Sequence, residues 1–320
     1  MLPENWLVTV VIPVFNGERW ISSTLASAAA QTHSVLEILV IDDGSTDGTA
    51  AIVEAAASRD DRIRLIRKQN GGVSAARNKG IAEARGELIA PLDADDLWHR
   101  EKIARQVAAM RSPEVGLVYC WAVEIDENDR IIPPVYAGAT ATGKVLEEVV
   151  ANAGIIVSGA NPLIRRSCLM AVGGYDPNAQ PCEDWKIQLS LAEICDFALV
   201  PAHLVGYRRT SGSASKNVAR MARSMENVSR WIMDRRPDLP PFIWRQMVCH
   251  RNRYLAHLAL TNDQFACAVR YKAASLRAWP WSILSRDTVI FWLRWISRMA
   301  GLTRLRKSPT THAVDFKNLH

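Results

Sequence analysis

Apolar runs and amphipathic stretches alternate along the first two thirds of the chain. Residues 8–13, 36–41, 63–67 and 87–92 are short runs rich in Val, Ile and Leu, bounded by Gly, Pro or charge. That is the pattern of buried strands. Between them, residues 18–31, 48–59, 74–84 and 101–110 read as helices. In the first of these, Trp20, Ile21, Leu25 and Ala28 recur at core-facing spacing. Strands alternating with helices of this length predict βαβ units, an α/β fold with a mostly parallel central sheet. Beyond residue 110 the order is less regular. A strand is expected over 116–120, a hairpin over 123–132 and a helix over 144–152. The chain returns to the sheet over 155–164 and forms a helix over 165–172, ended by Gly173 and Gly174. A helix opening at Cys182 and a last strand over 197–200 follow. From Asn217 to about Arg306 the pattern is helical, with breaks at 237–241 and at Pro280, and the tail from Lys307 reads as polar and loose.

In parallel sheets ligands bind outside the carboxyl ends of the strands. That rule gathers Pro13 to Asn16, Asp42 with Asp43, and Asp93 with Asp95 along one rim. The fourth apolar run ends in Asp93, Asp95 and Asp96, three carboxylates within four positions. Carboxylates this close repel one another, and a hard divalent cation with oxygen ligands is the natural neutraliser. The plainer alternative is a solvated acidic turn before the next helix. Convergence of three polar strand ends on one rim favours the cation. Pro91 lies inside the fourth run, where it removes a ladder donor.

Charge divides the chain. Residues 1–202 hold 18 Lys and Arg against 27 Asp and Glu, a balance of −9; residues 203–320 hold 21 against 6, a balance of +15. Six of the eleven Trp lie in the basic part. The six Cys show neither zinc-ligand nor CxxC spacing, as expected of a reduced, cytoplasmic chain. No run reaches the roughly 18 apolar residues of a membrane span, and the first residues lack the basic start and apolar core of a signal peptide.

Five segments, in order, carry a resemblance. They are Val10 to Glu18 (VVIPVFNGE), Val40 to Asp47 (VIDDGSTD), Gly71 to Gly80 (GGVSAARNKG), Leu92 to Asp96 (LDADD), and Gly173 to Asp176 (GGYD) leading to Cys182 to Trp185 (CEDW). Together they resemble the inverting family 2 glycosyltransferases with the GT-A nucleotide-sugar fold, over roughly residues 7–215. The resemblance implies a catalytic domain over 1–215 and leaves 216–320 as a basic, Trp-rich helical region. It implies that Asp43 receives the nucleobase of the donor, with Phe15 stacking nearby and Pro13, Asn16 and Glu18 shaping the pocket. Arg77 would reach the ribose or diphosphate. Asp93 and Asp95 match the DxD pair, Asp93 at the ribose and Asp95 on a Mg²⁺ or Mn²⁺ ion. Asp184 matches the base that deprotonates the acceptor, and Glu183 is the second candidate. Many family members carry a His in the loop after the base; Thr210 stands in that place here, and Arg208 or Arg209 are the cations left to meet the diphosphate. The implied activity is transfer from a nucleotide-diphosphate donor, UDP-linked by expectation, to a hydroxyl of a glycan or lipid-linked saccharide in polysaccharide or cell-envelope synthesis.

Two other readings are weaker. A sugar-phosphate nucleotidyltransferase wants a Gly-rich loop with Arg and Lys after the first strand, where this chain reads PVFNGER over residues 13–19. An inactive nucleotide-sugar-binding or scaffold protein has no need of Asp93, Asp95 and Asp184 together. In the basic third, residues 286–301 are amphipathic: Arg286, Asp287, Arg294, Ser297 and Arg298 form one sector, and Val289, Phe291, Trp292, Leu293, Trp295, Ile296 and Met299 the rest. Such a helix can lie on an anionic membrane surface, which would make the protein peripheral on the inner face of the cell membrane. It can equally pack on the catalytic domain or on a partner chain. No recognised nucleic-acid module accompanies the basic charge, so no nucleic-acid partner is expected.

Overall fold

The computed structural model describes residues 6–133, 135, 137–209, 217–299 and 316. These fall into two units: the first holds residues up to 146, 155–209 and Phe316, and the second holds 147–154 and the helices from Val218 on.

The first unit is built on one sheet, eight-stranded among the described residues, in the order β3-β2-β1-β4-β7-β6-β8-β5. Strands β1 (Val8–Val14), β2 (Leu36–Asp42), β3 (Ile63–Arg67) and β4 (Leu88–Pro91) are mutually parallel neighbours. Every residue of β1, β2 and β4 is buried, as both faces of a parallel sheet demand. Helices α1 (Ile21–Ala29), α2 (Thr49–Ala57) and α3 (Val73–Glu83) cross between them. Gly80 of α3 lets that helix lie close on β1: a Cβ there would come 2.3 Å from Val11. Alternation makes the position of Pro91 harmless. The amide of Leu92 donates to Val11 on β1, so Pro91 faces the other neighbour, whose ladder with β4 ends at Ile89.

The second half of the sheet is mixed. β6 (Val115–Ile125) runs parallel to β8 (Asp196–Arg208), and β7 (Leu163–Arg165) pairs antiparallel with both β4 and β6. The expected boundaries differ here. The strand predicted over 116–120 continues to Ile125, and the hairpin shrinks to a turn bridged by Ile125 and Ile131. The return to the sheet predicted over 155–164 is confined to β7. The strand predicted over 197–200 extends to Arg208. Pro201 masked this continuation; it sits in an irregularity where Cys120 pairs with Val200 but Trp121 pairs with His203, so Pro201 owes the ladder no donor. Leu97 and Trp98, expected to lead into a helix, form the short strand β5 against β8 before α4 (Lys102–Ala109). Within the tail, Phe316 is buried against Leu97, Val123 and Ile125, which corrects the expectation of a loose end at that residue.

α5 (Leu146–Ala151) lies in the second unit from residue 147 on, whereas α6 (Arg166–Ala171) and α7 (Glu183–Ala192) complete the first. The second unit contains α8 (Val218–Arg235), α9 (Pro241–Thr261), α10 (Phe265–Ala278) and α11 (Arg286–Met299). Its core joins Val218, Ala256, Ala259, Leu260, Ala268 and Phe291. The break between α9 and α10 falls at Asn262–Gln264, with Asp263 at φ 56°. No helix of the described residues is long and apolar enough to cross a membrane.

Candidate active site

The rim above β1, β2 and β4 is organised by side chains that bind loops to one another. Asn16 follows β1 in the left-handed region, φ 52°. Its side-chain oxygen accepts from the amide of Thr46 at 2.9 Å, and its own amide donates to Ser45 Oγ at 2.9 Å. Glu18 accepts from the amide of Gly48 at 2.7 Å. Both therefore tie the loop after β1 to the loop after β2. Pro13 is buried within β1, opposite Ile41. Phe15 stands 53% exposed at the rim, free to meet a flat ligand.

Asp43 is buried directly after β2. Its carboxylate accepts from the amides of Gly71 (3.0 Å) and Gly72 (2.7 Å) and pairs with Lys68. These donors hold the loop before α3, where Gly72 adopts φ 85°, a conformation only glycine takes freely. A carboxylate has about four acceptor positions, so these three donors leave about one at Asp43 for a nucleobase N–H. Asp42 accepts from the amide of Ser45 at 2.8 Å and shapes the turn.

The acidic cluster and the expected base meet through one side chain. Arg77, on α3, is 2% exposed. Its Nη2 donates to Asp93 at 2.7 Å, while Nη1 donates to Asp184 at 2.9 Å and to Glu183 at 3.3 Å. The ring of Tyr175 lies 5.0 Å beneath the guanidinium. Glu183 and Asp184 occupy the first turn of α7, where the helix dipole favours negative charge. Sequence reasoning placed Arg77 toward the donor; in the structure it holds the three carboxylates together. Burial pushes the Asp184 carboxyl up to about 7, with Arg77 opposing and Glu183 and Asp93 reinforcing. Glu183 Oε2 and Arg77 Nε are buried without hydrogen-bond partners among the described residues.

Asp93, Asp95 and Asp96 have distinct surroundings. Asp96 is buried; it accepts from Ser158 Oγ at 2.8 Å and from the amide of Arg208 at 2.9 Å, which pins the 158–161 segment and β8 to the cluster. Burial and the neighbouring Asp95 and Asp93 push its carboxyl well up. Asp95 forms no ion pair among the described residues, and burial with Asp93 beside it raises its carboxyl to about 6. The Arg208 charge offsets part of that rise, and a carboxylate pair whose donors are all oxygen has the chemistry a hard divalent ion takes.

Two contributors, Gly159 and Ser158, carried no readable sequence signal. Gly159 lies against the triad: a Cβ there would come 2.5 Å from Arg77 Nη2, 3.0 Å from Asp184 Oδ2 and 3.1 Å from Asp93 Oδ2. Ser158, at φ 67°, anchors this segment to Asp96. Arg208, expected as a cation for the diphosphate, is engaged elsewhere. Its guanidinium donates to the carbonyls of Asp95 and Asp126 at 2.7 Å each, pairs with Asp129 at 2.5 Å and stacks 4.2 Å from Trp20. Arg209 pairs with Glu124 at 2.7 Å, and Thr210 lies outside the described residues. Tyr175 was within reach of the sequence, since it follows the paired glycines that end α6.

This fold, with carboxylates at the ends of β2 and β4 and at the start of α7, is of the GT-A class. The match to the family model described as Glycosyl transferase family 2 covers residues 9–173, just over half of the 320-residue chain; the chain belongs to that family. An uncharacterized glycosyltransferase of Rickettsia felis is 38% identical over 143 residues, 45% of this chain and 23% of the relative. The putative glycosyltransferase EpsH of Bacillus subtilis is 37% identical over 128 residues, 40% of this chain and 37% of the relative. The chain thus spans well under half the length of these relatives. Among solved structures, S. aureus TarS 1–349 in complex with UDP-GlcNAc matches with TM-score 0.55 and 15% identity, covering 92% of each chain. The mannosyltransferase PcManGT from Pyrobaculum calidifontis, in complex with GDP-Man and Mn²⁺, matches with TM-score 0.57 and 17% identity over 93% of this chain and 87% of that one. These structures share the fold.

Proposed function

We propose that the chain is an inverting glycosyltransferase that moves a sugar from a nucleotide-diphosphate donor, UDP-linked, to a hydroxyl of a glycan or lipid-linked saccharide at the cytoplasmic face of a membrane. The observation that carries this reading is the Arg77 hub, which holds Asp93 and Asp184 to one guanidinium at 2.7 and 2.9 Å. It brings a donor-side carboxylate and a candidate base within one guanidinium's span. The complex of TarS 1–349 with UDP-GlcNAc supplies the precedent for a UDP-linked donor on this fold.

In this reading Phe15 offers its exposed ring to the base, and Pro13, Asn16, Glu18 and Asp43 shape the wall behind it. Asp93 meets the ribose. Asp95, with Asp93, holds Mg²⁺ or Mn²⁺, which when bound stabilises charge on the departing diphosphate. Asp184 takes the proton of the acceptor hydroxyl. The acceptor oxygen then bonds to the anomeric carbon while the carbon–oxygen bond to the diphosphate breaks on the opposite side, and configuration inverts. A carboxyl poised near 7 suits a base working at neutral pH. Glu183, beside it and buried, positions the start of α7 and the Arg77 guanidinium.

Asp184→Asn tests the assignment. The variant should bind nucleotide sugar as the wild type does and lose transfer by a factor on the order of 10² to 10⁴, the usual size of a base's contribution. Full transfer by the variant with an authentic acceptor removes Asp184 from the role. Product configuration by proton NMR decides inversion against retention.

A further inference from the structure

The amphipathic helix α11 does not use its apolar residues as one face. Phe291 is buried in the core of the helical unit, and Trp292 and Trp295 pack against that core, edge-on to one another at 5.9 Å. Val289, Leu293 and Ile296 point the other way and are 54–62% exposed. At helical spacing these three fall within about 60° of arc. The 3₁₀ turn that precedes the helix, Pro280–Leu284, adds Trp281, Ile283 and Leu284, which are 57–81% exposed. Six large apolar side chains are thus solvent-facing on two consecutive elements. Single exposed apolar residues are ordinary; a run of six is the mark of a surface that meets something.

We infer that this ledge, and not the Trp292–Trp295 face, seats the protein on an anionic lipid surface. The proposal sharpens the membrane-side placement given above and rests on it for its location. Two observations choose the occupant. The region from residue 203 on carries a balance of +15, and Arg294 is exposed on the same helix; a lipid surface bearing negative charge complements both. A second copy of the chain would bring a second +15 region against the first. With no described helix able to cross a membrane, the chemistry that fits is shallow insertion of an apolar ledge carried by a basic helical region. The interfacial residues are therefore Trp281, Leu284, Leu293 and Ile296, whereas Trp292 and Trp295 serve the unit's own packing.

The test is sedimentation of the full chain with vesicles of phosphatidylcholine alone and of phosphatidylcholine with phosphatidylglycerol. Wild type should bind the anionic vesicles at least tenfold better than the neutral ones and be released by high salt. The variant Leu293→Gln, Ile296→Gln should lose at least tenfold of that binding while its far-UV circular dichroism is unchanged. Trp281→Ala, Leu284→Ala, outside the helix, should do the same without perturbing α11. Donor turnover with a soluble acceptor should persist in both variants, so a failure of the lipid proposal is separable from a failure of the transferase reading. Wild type that ignores anionic vesicles, or variants that bind as wild type, overturn the proposal. So does a wild-type dimer in light scattering that both variants dissolve, because the ledge would then be covered by a second copy.

Discussion

Replacing Arg77 by Met isolates the hub from its charge. The guanidinium is buried and holds Asp93, Asp184 and Glu183 at 2.7, 2.9 and 3.3 Å. Removing one partner of a buried ion pair typically costs about 3–5 kcal/mol, because the remaining charge is left uncompensated. Asp93 and Asp184 keep 26% and 38% of their side-chain surface open, so water takes up part of the loss and about 3 kcal/mol is the expected figure. For a domain of this size each kcal/mol moves Tm by about 2–4 °C, which gives a fall of roughly 6–12 °C. The fall should grow with pH. The Asp184 carboxyl is raised in the folded state from 3.8 to about 7, so its protonated form favours folding, and that stability is lost as pH rises from about 4 through 7. Arg77 opposes the rise. Without it the carboxyl moves further up and the loss extends above pH 7. The assays are calorimetry at pH 5 and pH 8.5 and the pH profile of kcat/KM. Wild-type activity should rise with pH through about 7 as Asp184 ionises, and in Arg77→Met the acid limb should move to higher pH. An equal fall in Tm at both pH values with an unmoved limb would refute the electrostatic role of Arg77.

Gly159→Ala should cut kcat/KM by a factor on the order of 10² with the fold retained by circular dichroism, since a methyl 2.5 Å from Arg77 Nη2 must displace the guanidinium; wild-type kinetics would contradict that geometry. Among the six cysteines, Cys168 should alkylate first at pH 7.5. Its hydrogen bond with Cys195 lowers its thiol to about 7, whereas burial pushes the Cys120 thiol to about 11. Peptide mapping after a brief iodoacetamide pulse reads the order, and Cys120 labelled ahead of Cys168 would refute it.

The first half of the fold was legible because it is locally determined. β1 through α4 follow from runs such as VTVVIPV and LEILVID, whose burial on both faces needs no distant partner to predict. The second half depends on pairings across the chain. Nothing local told that β8 would pass Pro201 to Arg208, since only the register against β6 makes room for a proline there. The site divides the same way. Strand-end carboxylates stand out in sequence, but the hub does not: the partners of Arg77 lie 16, 106 and 107 residues away. Gly159 is visible only once the side chains around it are placed. In the helical region the periodicity of α11 was plain, yet which of its apolar residues face the core is set by α9 and α10. The Trp residues that dominate its composition turn out to be the packed ones.

Nucleoside-diphosphate release from a panel of nucleotide sugars, with and without EDTA, tests the central claim most directly. Turnover of a UDP-linked sugar that EDTA abolishes and excess Mg²⁺ or Mn²⁺ restores is the predicted result. A chain that neither binds nor turns over any donor in the panel, with metal present, would contradict the transferase reading, and turnover indifferent to EDTA would contradict the metal at Asp93 and Asp95.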